Sequence, residues 1–233
     1  MGINRLKKSK QLAVLIVASA VSVVAVLGGC ATESSRSLPV PVLESGQTPY
    51  AGKPVGIAVG KFDNRSSYMR GLFSDGADRL GSQAKTILVT QLQQSHRFNV
   101  LERENLGEMS REAVFMNKAQ AVKGANFIVT GDVTEFGRKD VGDQQLFGIL
   151  GRGKTQVAYA KVNLNVVDTT TSEVVLSSQG AGEYSLSNRE VIGFGGTASY
   201  DSTLNGKVLD LAIREAVNRL AEQVDAGALG AAK

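Results

Sequence analysis

Residues 157–178 read VAYAKVNLNVVDTTTSEVVLSS. Ala158, Ala160, Val162, Leu164 and Val166 take every second place, and Lys161, Asn163 and Asn165 fall between them. Side chains alternate across a strand, so this pattern predicts a long β-strand with one face in a core. Asp168 to Ser172 is a polar turn, and Val174 to Leu176 begins a returning strand. The fold is therefore anchored on a hairpin.

Outward from this hairpin, strand and helix patterns alternate. Upstream, Val55, Ile57 and Val59 give a first strand ending near Phe62. Leu80, Ala84, Ile87, Leu88 and Leu92 fall at helical spacing, and Phe98 to Leu101 is a short strand. Leu106, Met109, Ala113 and Met116 predict a second helix. Phe127, Val129, Gly131 and Val133 predict one face of a strand from Asn126 to Phe136. Downstream, Leu209, Ile213, Val217, Leu220 and Val224 predict a C-terminal amphipathic helix. The expected class is α/β or α+β, a small mixed sheet covered by helices.

The N-terminus is of another kind. Arg5, Lys7, Lys8 and Lys10 form a basic cap, residues 12–27 are uncharged and apolar, and Leu27-Gly28-Gly29-Cys30 follows. Sixteen helical residues rise only about 24 Å, short of the about 30 Å of a hydrocarbon core. The segment reads as a secretory signal over 1–29. Its ending resembles the lipobox of bacterial lipoproteins, which implies lipid on Cys30. Residues 30–52 contain three of the four prolines, Pro39, Pro41 and Pro49, with Pro54 just beyond, and read as a lipidated tether. The domain is expected over 53–233. Cleavage removes four of the 26 basic residues and no acid, leaving 26 − 4 = 22 basic against 22 acidic. The precursor's charge therefore gives no support to nucleic-acid binding. Ala31, where an Asp is associated with retention at the inner membrane, points to the outer membrane.

Residues 87–109 (ILVTQLQQSHRFNVLERENLGEM), 124–136 (GANFIVTGDVTEF) and 159–178 resemble the CsgG family, the curli secretion channel and its relatives. Where the family has a Thr-Gly-Glu turn, this chain has Thr171, Ser172 and Glu173. The resemblance implies an outer-membrane lipoprotein with its domain facing the periplasm. It also implies a homo-oligomeric ring in which each copy gives two β-hairpins to a shared barrel, exporting unfolded fibre subunits with periplasmic accessory proteins. The alternative is a non-pore lipoprotein whose CsgG-like domain binds a periplasmic partner such as a cell-wall synthase.

The hairpins are expected at 136–162 and 178–201. Ile192, Phe194, Ala198 and Tyr200 alternate as a lipid face, with Gly180, Gly182, Tyr184 and Leu186 on the preceding strand and Ser187 to Glu190 as the turn. In the first hairpin Arg138, Lys139, Asp140 and Asp143 interrupt any such face. By resemblance, the loop after the first strand supplies the channel constriction, with Tyr68 and Phe73 matching the two aromatics and Leu72 standing where the family has Asn.

Enzymatic and cofactor chemistry finds no support. Gly148, Gly153, Lys154 and Thr155 match a phosphate loop, but the residues that follow have strand period where that loop needs a helix. His96 is the sole histidine and Cys30 the sole cysteine, so no His-based metal cluster is expected. No cofactor, nucleotide or nucleic acid is expected.

Overall fold

The computed structural model describes residues 42–68, 78–144, 152–190 and 203–229. In chain order the elements are α1 (Glu44–Gln47), β1 (Val55–Asn64), α2 (Arg79–Gln94), β2 (Phe98–Leu101), α3 (Leu106–Phe115), β3 (Phe127–Gln144), β4 (Arg152–Asp168), β5 (Val174–Glu190) and α4 (Leu204–Asp225). The strands form one sheet in the order β2-β1-β3-β4-β5. β1 runs parallel to β2 and β3, and β4 runs antiparallel to β3 and β5. This is the expected mixed α+β class.

One sheet face holds the core. Ala158, Ala160, Val162, Leu164 and Val166 are all buried, as their alternation predicts, beside Ile57, Val129 and Val133. Against them lie Leu80, Ala84, Leu88 and Leu92 of α2, and Val208, Leu209, Ala212, Ile213, Ala216, Val217, Leu220 and Val224 of α4. Each fully buried aliphatic side chain contributes about 1.5–3 kcal/mol, so these two stripes supply most of the driving force. α2 is capped by Asp78, whose carboxylate accepts from the Gly81 N–H at 2.8 Å.

Three features depart from the pattern. β3 carries a register shift between Val133 and Glu135, so Phe136 returns to the buried face instead of Glu135. Beyond it β3 stays paired with β4 as far as Gln144↔Arg152, through the charged stretch. Ser187 to Glu190 is not a turn: these residues continue β5, paired with Thr155 to Arg152 of β4. In α3, helical spacing correctly predicted the helix but not a partner for it. Only Ala113 is buried, and Phe115 is 77% exposed.

α4 lies directly on the backbone of β5. A Cβ on Gly180 would come 2.5 Å from Ala216 N, and one on Gly182 would come 2.7 Å from Leu211 Cβ. Glycine is required here for close approach, so Gly180 and Gly182 belong to the domain core rather than to a lipid face. Gly180→Ala should cost about 1–3 kcal/mol by overpacking. Gly56→Ala, with nothing within 4 Å of the new carbon, should be close to neutral. Urea denaturation of both variants checks the contrast.

The β4–β5 turn explains the departure from Thr-Gly-Glu. Asp168 accepts from the Thr170 and Thr171 N–H groups at 2.7 and 2.9 Å, which holds its carboxyl below the usual range. Ser172 is then forced to φ +62°, a conformation that costs a non-glycine residue about 1–2 kcal/mol. Ser172→Gly should therefore raise stability by up to about 1 kcal/mol, part of the relief being offset by backbone entropy. Thermal unfolding reads the change.

Candidate functional site

Two constructions stand out, at opposite ends of α4. The first is built on Arg97, which lies between α2 and β2 and is 1% exposed. An isolated buried guanidinium would be prohibitive, but every nitrogen of this one is engaged. Nε and Nη2 donate to Asp225 Oδ1 and Oδ2 at 3.1 and 2.9 Å, a bidentate pair at the end of α4. Nη1 donates to the carbonyls of Thr48 at 3.0 Å, Ser95 at 2.9 Å and Ser45. Nη2 also donates to Thr48 Oγ1 at 2.7 Å, and the guanidinium carbon stands 5.2 Å from the Tyr50 ring centroid. One side chain thus holds residues 45–50, the α2–β2 turn and the α4 C-terminus, where a cation also meets the helix dipole favourably.

The docked segment has a direction. Thr48 meets Arg97 beside Asp225, the Ser45 N–H donates to Asn218 Oδ1 at 3.1 Å, and Val42 lines a groove with Gly182, Leu211 and Arg214. Followed from Thr48 back to Val42, the chain climbs α4 toward its first turn. Leu43 is buried in the core on the way.

The second construction is a three-stranded ribbon. The helical cover ends near Arg138, whose Nη1 donates to Asn205 Oδ1 at 3.2 Å and whose Nη2 donates to Gln156 Oε1 at 3.4 Å. Lys207 Nζ lies 5.2 Å from the Tyr184 ring centroid nearby. β3, β4 and β5 run on past this polar layer, to Gln144, Arg152 and Glu190 in register. Six further residues of β3, from Arg138 to Gln144, extend about 20 Å.

The residues singled out from the sequence do not converge. Tyr68 is partly buried, its ring 4.6 Å from that of Phe136 and tilted by 43°. Its carbonyl accepts from Asn64 Nδ2 at 2.9 Å. Leu72, Phe73, Cys30, Ile192, Phe194, Ala198 and Tyr200 lie outside the described residues. Lys154 and Thr155 are in β4, not at a helix start, so no phosphate loop forms. Among the described residues no group of three His, Cys, Asp or Glu could hold a metal ion. There, too, no helix is long and apolar enough to cross a membrane. Arg97 was missed because, Ser95 apart, its partners lie 49 to 128 residues away, a separation that leaves no local pattern.

Fold and ribbon define a mixed α+β domain whose last three strands run on beyond the helical cover. The model of the curli production assembly/transport component CsgG matches residues 42–230, and the chain belongs to that family. It is similar to a candidate lipoprotein of Neisseria meningitidis serogroup B, 66% identical over 221 residues, which span 95% of this chain and 97% of that one. Among solved structures it is similar to the PelC dodecamer from Paraburkholderia phytofirmans at 15% identity and TM-score 0.35, covering 78% of this chain and 95% of that one. Lipoprotein GNA1162 of Neisseria meningitidis shows 16% identity and TM-score 0.31, with 73% and 98% covered. The chain is thus a membrane-associated lipoprotein of the CsgG family.

Replacing Arg97 by Gln should destabilise the domain by about 1–3 kcal/mol, since three carbonyls lose their donor. Asp225→Asn should cost under about 1 kcal/mol, because Asp225 is 41% exposed and water can replace its partner. Hydrogen exchange should locate the Arg97→Gln loss in residues 43–50.

Proposed function

We propose that this chain is an outer-membrane lipoprotein, anchored through Cys30, that works as a docking module in the periplasm and does not form the wall of a pore. The ribbon's composition carries the proposal. A bilayer-crossing strand needs about 9 to 11 residues with one alternate set apolar. Along β3, one alternate set is Gly137, Lys139, Val141 and Asp143, and the other is Arg138, Asp140, Gly142 and Gln144. Along β5 the sets are Glu183, Ser185, Ser187 and Arg189, and Tyr184, Leu186, Asn188 and Glu190. Every set carries a charge, and an Arg or Lys facing lipid at the midplane costs about 2–4 kcal/mol.

Nor is there length to spare. Between Gln144 and Arg152 only residues 145 to 151 remain, seven in number, too few for two crossings. A ribbon polar on both alternate sets suits water and a polar protein partner. Ala31 after Cys30 supports the outer-membrane address. The channel reading keeps one observation in its favour, the alternation of Ile192, Phe194, Ala198 and Tyr200, and it would make Tyr68, Leu72 and Phe73 the constriction.

The two readings place the tip of the first hairpin on different sides of the outer membrane. Gly148→Cys adds the only thiol besides Cys30. A membrane-impermeant maleimide should label it only after the outer membrane is permeabilised. Labelling in intact cells, with conductance steps from the purified lipidated protein in planar bilayers, would establish the channel instead.

A further inference from the structure

The docked segment and the α2–β2 turn flank an open cleft of about 720 Å³, apart from the ribbon. Its walls include Tyr50, Lys53, Gln93, His96, Asn99 and Lys123, and among the described residues no Asp or Glu lines it. In a chain whose expected mature form has equal numbers of acidic and basic residues, a cleft with two lysines and no carboxylate is a local excess of positive charge. Its volume is that of a small-ligand site.

His96 adds an independent sign. It sits at φ +59°, where glycine would be less strained. Its N–H donates to the Gln93 carbonyl at 3.3 Å, which closes the turn without help from the imidazole. The turn therefore does not require a histidine, yet an imidazole lines the cleft. Gln93 Oε1 accepts from the Val100 N–H at 3.1 Å, which leaves the amide NH₂ as the group to meet a ligand. Together with Asn99, the cleft offers amide groups for hydroxyls, an aromatic face at Tyr50, and two ammonium groups for an anion.

We propose that this cleft binds a saccharide bearing an acidic group. Lys53 and Lys123 meet the acid, Gln93 and Asn99 bond the hydroxyls, and Tyr50 and His96 flank the ring. An envelope lipoprotein meets such groups from two sources, the carboxylates of cell-wall glycan and the phosphates of lipid headgroup sugars, and both fit this chemistry. The site is independent of whether the ribbon enters the membrane. It lies against the segment that Arg97 holds, so its shape depends on that clamp.

His96 is the sole histidine, so its imidazole C–H resonance reports on this cleft alone in an untagged protein. Titration of the full-length protein with N-acetylmuramic acid, and separately with glucosamine 1-phosphate, should move that resonance to saturation for at least one of them. The acid preferred identifies the source. Uncharged N-acetylglucosamine should bind at least tenfold more weakly. Lys53→Gln with Lys123→Gln should weaken binding at least tenfold while unfolding at the parent temperature. His96→Gly should raise the unfolding temperature and still weaken the ligand, read by calorimetry. No saturable shift with either acid, or equal binding of N-acetylglucosamine, or unchanged affinity in the double-lysine variant, overturns the proposal.

Discussion

The contact between α4 and the backbone of β5 organises this domain. Gly180 and Gly182 remove the side chains that would hold the helix off the sheet, and Ala212 and Ala216 do the same from the helix side. The axis of α4 is thereby brought close enough for Val208, Ile213, Val217 and Leu220 to reach the alanine and valine rows of β4 and β5. The small residues of β4, Ala158 and Ala160, lie at the same level. Close approach gains dispersion contacts over many atoms at once, at the cost of the entropy that two strand glycines surrender. The same seating fixes where α4 ends, and so where Asp225 presents its carboxylate to Arg97.

The Arg97 clamp is then a choice between two costs. Burying a guanidinium is expensive, and a single pair with Asp225 would not repay it, since that carboxylate remains half in water. The carbonyls of Ser45, Thr48 and Ser95 make the difference: they belong to irregular backbone near a buried helix end, and each takes an N–H from the guanidinium. Arg97 is therefore better understood as satisfying an irregular backbone than as an ion pair. This accounts for an arginine rather than a lysine here, because an ammonium cannot reach so many directions with a planar fork.

Legibility in the sequence followed burial. The row from Ala158 to Val166, the stripe of α2 and the stripe of α4 were all readable, because one buried face imposes its period on the chain. The strands beyond Arg138 were not. A stretch with charged residues in both alternate sets has no apolar period to read, so Lys139, Asp140 and Asp143 read as an interruption when they are part of a continuous strand. Gly180 and Gly182 were read as one face of a membrane hairpin because period two cannot say what covers a face. α3 shows the limit of the same signal: its apolar spacing predicts the helix, yet of that stripe only Ala113 is buried, and Met109 and Met116 are exposed. Periodicity reports secondary structure, whereas burial requires knowing the neighbour.

The clamp has a consequence for the lipid anchor proposed at Cys30. Were the chain free up to Val55, 55 − 30 = 25 residues would separate the anchor from the first strand, a contour of at most about 90 Å at 3.6 Å per residue. With Leu43 in the core and Thr48 held by Arg97, only 42 − 30 = 12 residues separate that anchor from the docked segment, a contour of at most about 43 Å. The greatest possible span between anchor and fold is thus cut to about half by one buried arginine and one buried leucine. Because the docked segment climbs α4 from its last turn toward its first, Val42 also lies some 12 residues of helix nearer the ribbon end than Thr48 does, about 18 Å along the axis. A lipid on Cys30 would then restrict how far the domain can stand from the membrane, and the restriction is set by hydrogen bonds 49 to 173 residues apart in sequence. Tether composition alone would have suggested a loose linker; the fold converts half of it into structure.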